Sequence, residues 1–430
     1  MTKTRSRRSV TVARSRSVAA VIGAVVWCHA ASVSTAWAQN VLAPPPVGVS
    51  TIPPAVVDIQ SNSAGFVDFG NATPAGALQH KPLEVGPLDL HPHLSYQFLY
   101  ATGIQSAPGS SHDTITQIIS PGLLVDIGRN WTLDYTPSWS VFSSSEFHNT
   151  LDHAVTLNGG GTYGDWLFGF SQTYTRADEP LIVTGGQTVQ ETFGTALTGS
   201  YRFNTVMSLD ASANQIFAYT DKFTDTREWS TMEWLNYQFW PGLDGGLGIG
   251  GGYDNVSVGV DSAFERYQVR MNWRATSVTS LEIHGGAEDR QFLNSSEGDL
   301  VSPIFGAGIR YAPFPVTAIT LDADRSVSAS PLLDEVTETT DVTVTLSQRL
   351  LQKLFLNVGG GYHWDTYKST STAVIASRRD KNYAISASLT CVFLKRATAS
   401  ATYQYSENLS NQAGFGYASN QYGFQLGYQY

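Results

Sequence analysis

The chain predicts an all-β protein: a transmembrane, antiparallel, up-and-down β-barrel of about 18 strands, with 16 as the alternative. Three observations carry this reading. From residue 88 onward, apolar and aromatic side chains recur at every second position in one segment after another. That is the period of a strand with one greasy and one polar face. Tight turns fall near residues 128, 164, 204, 241, 276, 313, 351 and 395, and the intervals to the last residue run from 35 to 44. This is a hairpin period, with one short turn and one longer connection per unit. The composition is 12% aromatic, rich in Gly (39 residues) and only 14% charged, which suits a wall between lipid and water. No stretch after the first 38 residues approaches the roughly 18 apolar residues of a spanning helix.

Residues 1–38 read as a cleavable export signal. Lys3, Arg5, Arg7, Arg8, Arg14 and Arg16 lead, an apolar run from Val18 to Trp27 follows, and Ala36-Trp37-Ala38 offers a small-x-small cleavage site. Sec-type export suits a barrel that travels unfolded better than a twin-arginine reading of Ser6-Arg7-Arg8. Cleavage removes six basic residues and no acid, leaving 20 Lys and Arg against 36 Asp and Glu. So acidic a chain argues against nucleic acid as a partner. Cys28 leaves with the signal, so Cys391 stands alone and neither a disulfide nor a Cys-based metal site is expected.

Residues 39–87 are Pro-rich, with Ala43-Pro44-Pro45-Pro46, Pro53-Pro54 and Thr73-Pro74. Proline removes ladder donors, so this segment is not wall. It reads as a periplasmic extension, with a lumen plug or a docking arm as sharper alternatives. Residues 88–430 are the barrel.

The first strand carries Leu90, Leu94, Tyr96, Phe98 and Tyr100. Leu123, Val125 and Ile127 mark the second, Trp131, Leu133 and Tyr135 the third, Val155 and Leu157 the fourth. Trp166, Phe168 and Phe170 follow, then Phe193, Leu197 and Tyr201, then Leu209 and Phe217. In the eighth, Leu235 and Tyr237 put Glu233 on the greasy face, which calls for a bulge near Trp234 or a different register. Ile249, Val269, Ile283, Ile309, Leu321, Val344, Leu356, Ile385 and Tyr403 carry the pattern through the ninth to seventeenth. Pro121, Pro137 and Pro303 fall inside strand patterns, and Pro313-Phe314-Pro315 reads as a turn. Gly159–Gly161, Gly250–Gly252 and Gly359–Gly361 also lie inside strands. No Gly-Lys-Ser/Thr follows them, so they are sites of curvature and not phosphate loops.

The last segment alternates Tyr422, Phe424, Leu426, Tyr428 and Tyr430 with Gln and Gly. Here the sequence resembles the outer-membrane β-barrel proteins of Gram-negative bacteria, and among them the β-barrel porins of exopolysaccharide-linked clusters. The resemblance covers roughly 88–430 and is architectural. It implies that these five residues serve as an assembly signal read by the barrel-assembly machinery, and that the chain sits in outer-membrane lipid with its short turns in the periplasm.

The second face of each strand is polar and must line the lumen. Asp210, Arg266, Arg270, Arg274, Glu282, His284, Glu288, Arg310, Asp322 and Asp324 are the expected pore-lining residues. Charge in a lumen is hydrated or paired, because burying it dry is costly. Either the opposite charges stand apart and select polar solutes, or they pair across neighbouring strands. Glu282, His284 and Glu288 share a face but read as solvated lumen residues. No nucleophile has an assigned base, so no catalytic or metal residue and no cofactor is expected. The function expected is porin-like, the passage or export of polar solutes, saccharides among them. A structural or adhesin-like barrel is the second reading and a barrel hydrolase the third. Oligomeric state is not legible. No connection has the length of a constriction loop: 176–187 and 366–380 are the best candidates, so narrowing falls to residues 39–87, to wall side chains or to a partner.

Overall fold

Alternation along the chain becomes one closed sheet in the computed structural model, which describes residues 83–394 and 396–430. The strands, in chain order, are β1 (Leu83–Val85), β2 (Leu88–Ala107), β3 (Ser110–Ile127), β4 (Trp131–Phe142), β5 (Thr150–Tyr163), β6 (Trp166–Leu181), β7 (Gly186–Arg202), β8 (Met207–Thr220), β9 (Thr226–Trp240) and β10 (Leu243–Val256). There follow β11 (Ser262–Arg274), β12 (Thr279–Phe292), β13 (Leu300–Phe314), β14 (Thr317–Ala329), β15 (Glu335–Leu351), β16 (Leu354–Ser369), β17 (Arg379–Leu394), β18 (Ala397–Ser410) and β19 (Tyr417–Gln429). Each of β2–β19 pairs antiparallel with the next, and β19 returns to β2 through a register from Asn420–Thr102 to Gln429–His93. The barrel therefore has eighteen strands, and closure leaves no open edge in lipid. The three-residue β1 folds back on Leu88–Leu90 at the periplasmic end. The expected signal, and the expected extension or plug up to residue 82, lie outside the described residues.

The outward phase is apolar. Tyr96, Phe98, Tyr100, Trp139, Leu235, Ile249, Val269, Ile309, Val344 and Ile385 sit on it, and most are exposed. Such residues stay outside because hydrocarbon, not water, is their solvent. Glu233 does share this face. The β8–β9–β10 ladders run unbroken through it, with no bulge at Trp234, so the sequence phase is right and Trp234 points into the lumen.

The prolines fall where no donor is needed. Pro121 and Pro137 lie in the gap where the β3–β4 ladder lapses between Ile119–Trp139 and Leu123–Tyr135. Ser120 and Ser138 bridge that gap through their hydroxyls at 2.8 Å. Pro303 pairs with Ala287 on one side, and on the other the β13–β14 ladder has already ended at Phe305–Arg325. Pro313-Phe314-Pro315 is not itself the turn: β13 runs on through Phe314 after a register slip beyond Tyr311. At Gly159 the indole of Trp131 lies over the bare backbone in the place a Cβ would fill, a ring covering a strand glycine.

The connections differ from expectation in one respect. Much of what reads as extracellular loop is strand continuing above the bilayer. Within 176–187, β6 runs to Leu181 and β7 starts at Gly186, leaving only 182–185 as turn.

Candidate functional site

The even-numbered residues of β11 and β12 face the lumen, so Arg266, Gln268, Arg270 and Arg274 form one column and Glu282, His284, Glu288 and Arg290 the next, in direct register. The two columns do not behave alike along their length. Towards the periplasm the side chains are open: Arg274 and Arg310 are exposed, and the Asp210 and Asp324 side chains are 37% and 50% exposed. Towards the extracellular end the same columns are sealed.

In the middle, Arg270 reaches back across β10. Its guanidinium meets Asp210 at 2.5 Å and Asn236 at 2.7 Å, and lies 4.5 Å from the centre of the Trp234 ring. Gly246 and Gly248 on the intervening strand leave room for this, since a Cβ there would collide with Asn236 and with Trp234. Asn272 donates to Asp244 at 2.7 Å. Charge-assisted bonds of this kind hold long side chains in fixed positions along the wall.

Nearer the outside, Arg266 binds Glu288 at 2.7 Å, and Glu288 binds Arg290 at 2.9 Å. Arg290 also meets Asp254, the Ser262 hydroxyl and the Val327 carbonyl. Both guanidinia lie over Phe264, at 4.4 and 4.5 Å. Glu288 and Arg290 are 0% exposed. The pore-lining expectation for Glu288 is therefore corrected: it faces inward but is clamped by two arginines and covered, and it meets no open lumen. Of the two readings of the lumen charge, pairing across neighbouring strands is what Arg266 and Glu288 do, whereas Arg270 reaches past β10 and β9 to Asp210 on β8. His284 lies 3.9 Å from Asp324, and neither Glu282 nor Glu288 is its ion partner.

A second charged wall, absent from the sequence expectation, runs along β15–β17. His363 is held between Asp341 and Asp365, the latter at 2.7 Å, and Thr339 donates to Asp365. Asp365, Asp380, Asn382 and Tyr367 continue it upward and are buried.

What buries this upper layer is a pair of hairpin tips folded inward. Residues Pro180–Gly186 and Thr188, at the tip of β6–β7, are buried throughout. β2 touches β6 and β7 although neither is its neighbour in the ring. Ile182 packs on Tyr417, and Gly185 sits against Phe415 and Pro108. Arg378, just before β17 on the far side of the ring, donates to the carbonyls of Ile182 at 3.0 Å and Val183 at 2.8 Å. Its guanidinium stacks 3.8 Å from the Phe415 ring and pairs with Asp380 at 2.6 Å. The second tip, β14–β15, reaches the β8–β9 connection, where Thr224 donates to the Pro331 carbonyl at 2.9 Å. Phe292, Val327 and Val336 pack beneath it with Val260 and Leu300. The narrowing thus comes from a connection with a four-residue turn. Its length is supplied by strand and not by loop, which is why a search for long loops passes over it.

The outward residues Tyr422, Phe424, Leu426 and Tyr428 of β19, with Tyr430 after it, are exposed on the lipid face. Tyr430 donates its backbone N–H to Pro92, and Arg396 lies 4.1 Å from its ring.

Residues 253–430, from the end of β10 through β19, match the family described as "Putative beta-barrel porin 2". Solved structures similar to the chain include Acinetobacter baumannii OccAB4 (11% identity, TM-score 0.43, covering 79% of this chain and 98% of that one). They also include Pseudomonas aeruginosa OpdK with vanillate (10%, 0.44, 80% and 99%) and Pseudomonas aeruginosa OccK2 (OpdF) in complex with glucuronate (11%, 0.42, 79% and 98%). No curated protein matches the chain.

Proposed function

We propose that this porin-like barrel of the outer membrane passes polyhydroxylated solutes, saccharides among them, along a lumen narrowed from the extracellular side by the β6–β7 tip. The observation that carries the reading is the division of the lumen. Its periplasmic half is the more open, with Arg274 and Arg310 exposed and Asp324 half-exposed, and towards the middle it is lined by Arg270, Asn272 and Asp244, which are held on the wall. A wall that alternates guanidinium, amide and carboxylate replaces the hydration shell of a solute carrying many hydroxyls. Its extracellular half is buried under the tips, with Arg290 paired to Asp254 and Glu288 and Arg378 to Asp380. In this reading the His363–Asp341–Asp365 group, of which His363 and Asp365 are buried, ties β15 to β16 and has no catalytic role.

The terminal residues Tyr422, Phe424, Leu426, Tyr428 and Tyr430 are proposed as the signal for the barrel-assembly machinery, and residues 1–38 as the export signal. Liposome swelling with neutral saccharides of rising size tests the transport reading. Swelling with small sugars that falls off with size is expected. Impermeability to all of them, with retained surface binding of polysaccharide, would favour the adhesin-like reading.

A further inference from the structure

Proline in a strand takes a donor out of the ladder, and in lipid no water replaces it. β3 and β4 lose two donors at one level. Ile119 pairs with Trp139 and Leu123 with Tyr135, so Pro121 stands opposite Pro137, and neither strand has an N–H there to give the other. β3 stays paired to β2 across this level through Leu94–Pro121, and β4 to β5 through Pro137–His153. The lapse is thus a seam between two hairpins, β2–β3 and β4–β5.

Side chains shut the seam on its lumen side. Ser120 and Ser138 meet through their hydroxyls at 2.8 Å. The Thr136 hydroxyl donates to Asp134 at 3.1 Å, and it accepts at 3.0 Å from Nε2 of His93, which reaches across β3. Gly122 lets the imidazole across, since a Cβ there would take the place of the His93 ring and of the Thr136 hydroxyl. Bonds of this kind contribute about 0.5–1.5 kcal/mol each, so the seam opens at far lower cost than a complete ladder.

Ser120–Gly122 lie five to seven residues above the periplasmic end of β3, and Thr136–Ser138 five to seven above that of β4. At ~3.3 Å per residue along strands tilted by about 40°, that is the middle of a hydrocarbon layer about 30 Å thick. The seam therefore separates the more open half of the lumen from the bilayer core. Its lumen flank is apolar: Leu99, Ile118 and Leu124 face inward and are buried. On its lipid flank, Ile119, Leu123 and Trp139 are exposed, and the Tyr135 hydroxyl bonds Nδ1 of His153 at 3.1 Å.

We propose that the β3–β4 seam is a lateral passage between the lumen and the bilayer for single-chain amphiphiles. The chain runs between Ile118 and Leu124 on one side and the lipid-facing rings on the other. Its polar end meets His93 and the hydroxyls of Ser120, Thr136 and Ser138, which both donate and accept. A wall built only to close gains nothing from two prolines face to face, whereas a passage for one chain needs one short lapse in the ladder. The proposal rests on the division of the lumen described above and not on saccharide passage, so liposome swelling and the tests below succeed or fail separately.

With Cys28 and Cys391 replaced by Ser, two variants are refolded into phosphatidylcholine vesicles containing a phospholipid with a maleimide at the end of one acyl chain. One is Ser138→Cys. The other, the control, is Thr156→Cys, a lumen-facing position on β5 within unbroken ladders. The probe cannot leave the bilayer, so only an opening wall brings it to a lumen-facing thiol. Labelling is expected to be severalfold faster at Ser138→Cys than at the control, and to fall to the control rate when Pro121→Val and Pro137→Val restore the donors. If Ser138→Cys does not fold, Ser120→Cys across the seam takes its place. In vesicles without the maleimide lipid, fluorescent lysophosphatidylcholine in the inner leaflet is expected to reach albumin outside severalfold faster with the wild-type barrel than with the double proline variant. Equal rates in either comparison would overturn the proposal.

Discussion

Arg290 shows how much of the wall depends on single side chains. It is fully buried and is shared between Asp254 and Glu288. Removing one partner of such a group leaves the others buried and uncompensated, at a cost of about 3–5 kcal/mol. Arg290→Met is therefore expected to lower the urea midpoint of the refolded barrel well below that of Arg274→Met, which changes an exposed site. Equal midpoints would mean that the cluster is hydrated. Arg270 tests the middle of the lumen, where its guanidinium is held between Asp210 and Asn236. Arg270→Glu sets a carboxylate beside Asp210 and is expected to move the reversal potential in asymmetric salt towards cation preference, with assembly intact. An unchanged potential would remove this column from the conducting path. The inward phase of both residues was legible in the sequence because a strand has period two. Whether an inward residue is wet was not: Arg274 and Arg290 share the inward phase, yet the first is exposed and the second is fully buried. Arg378 was not legible at all. It lies outside any strand, so no periodicity marks it, and its partners Ile182 and Val183 are nearly 200 residues away.

At the scale of elements, the strand pattern was readable almost throughout, because each strand writes its own alternation. Even Glu233 obeyed its phase and only appeared to break it. The exceptions were Pro313 and Phe314, taken into β13 by a register slip so that the turn falls at 315–316, and the β6–β7 hairpin, whose strands extend past the membrane and bend inward. That bend is a tertiary event: Phe415, Tyr417 and Arg378 make it, from the β17–β19 part of the ring. Arg378→Ala removes the two carbonyl contacts and is expected to loosen the tip, raising mean single-channel conductance and its fluctuations while heat-modifiability persists. Conductance identical to wild type would mean that packing of Ile182 on Tyr417 holds the tip without it. β19 makes a different prediction. It closes the ring against β2, so deleting Gln421–Tyr430 opens two edges in lipid, where unpaired backbone is not tolerated. Loss of the chain from the outer membrane is expected in fractionation, and normal levels would refute the assembly role proposed for Tyr430 and its partners.

The whole molecule is a closed eighteen-strand barrel, and in the porin-like reading proposed for it the lumen is open below and narrowed above. Barrels of this size leave an aqueous channel by strand number alone. What decides permeability is therefore the pair of tips, and above all β6–β7, which crosses the mouth to the far wall. Single-channel conductance in planar bilayers tests this most directly, comparing the wild-type chain with one in which Glu179–Thr188 is replaced by the two-residue turn Asn-Gly. The shortened hairpin ends at the Asp178–Val189 pair and cannot reach Phe415 or Arg378. The expected result is a small, readily blocked conductance for the wild-type chain and one several-fold larger for the shortened chain, which also passes saccharides that the wild type excludes. Equal conductance and an equal size limit for the two would contradict the account.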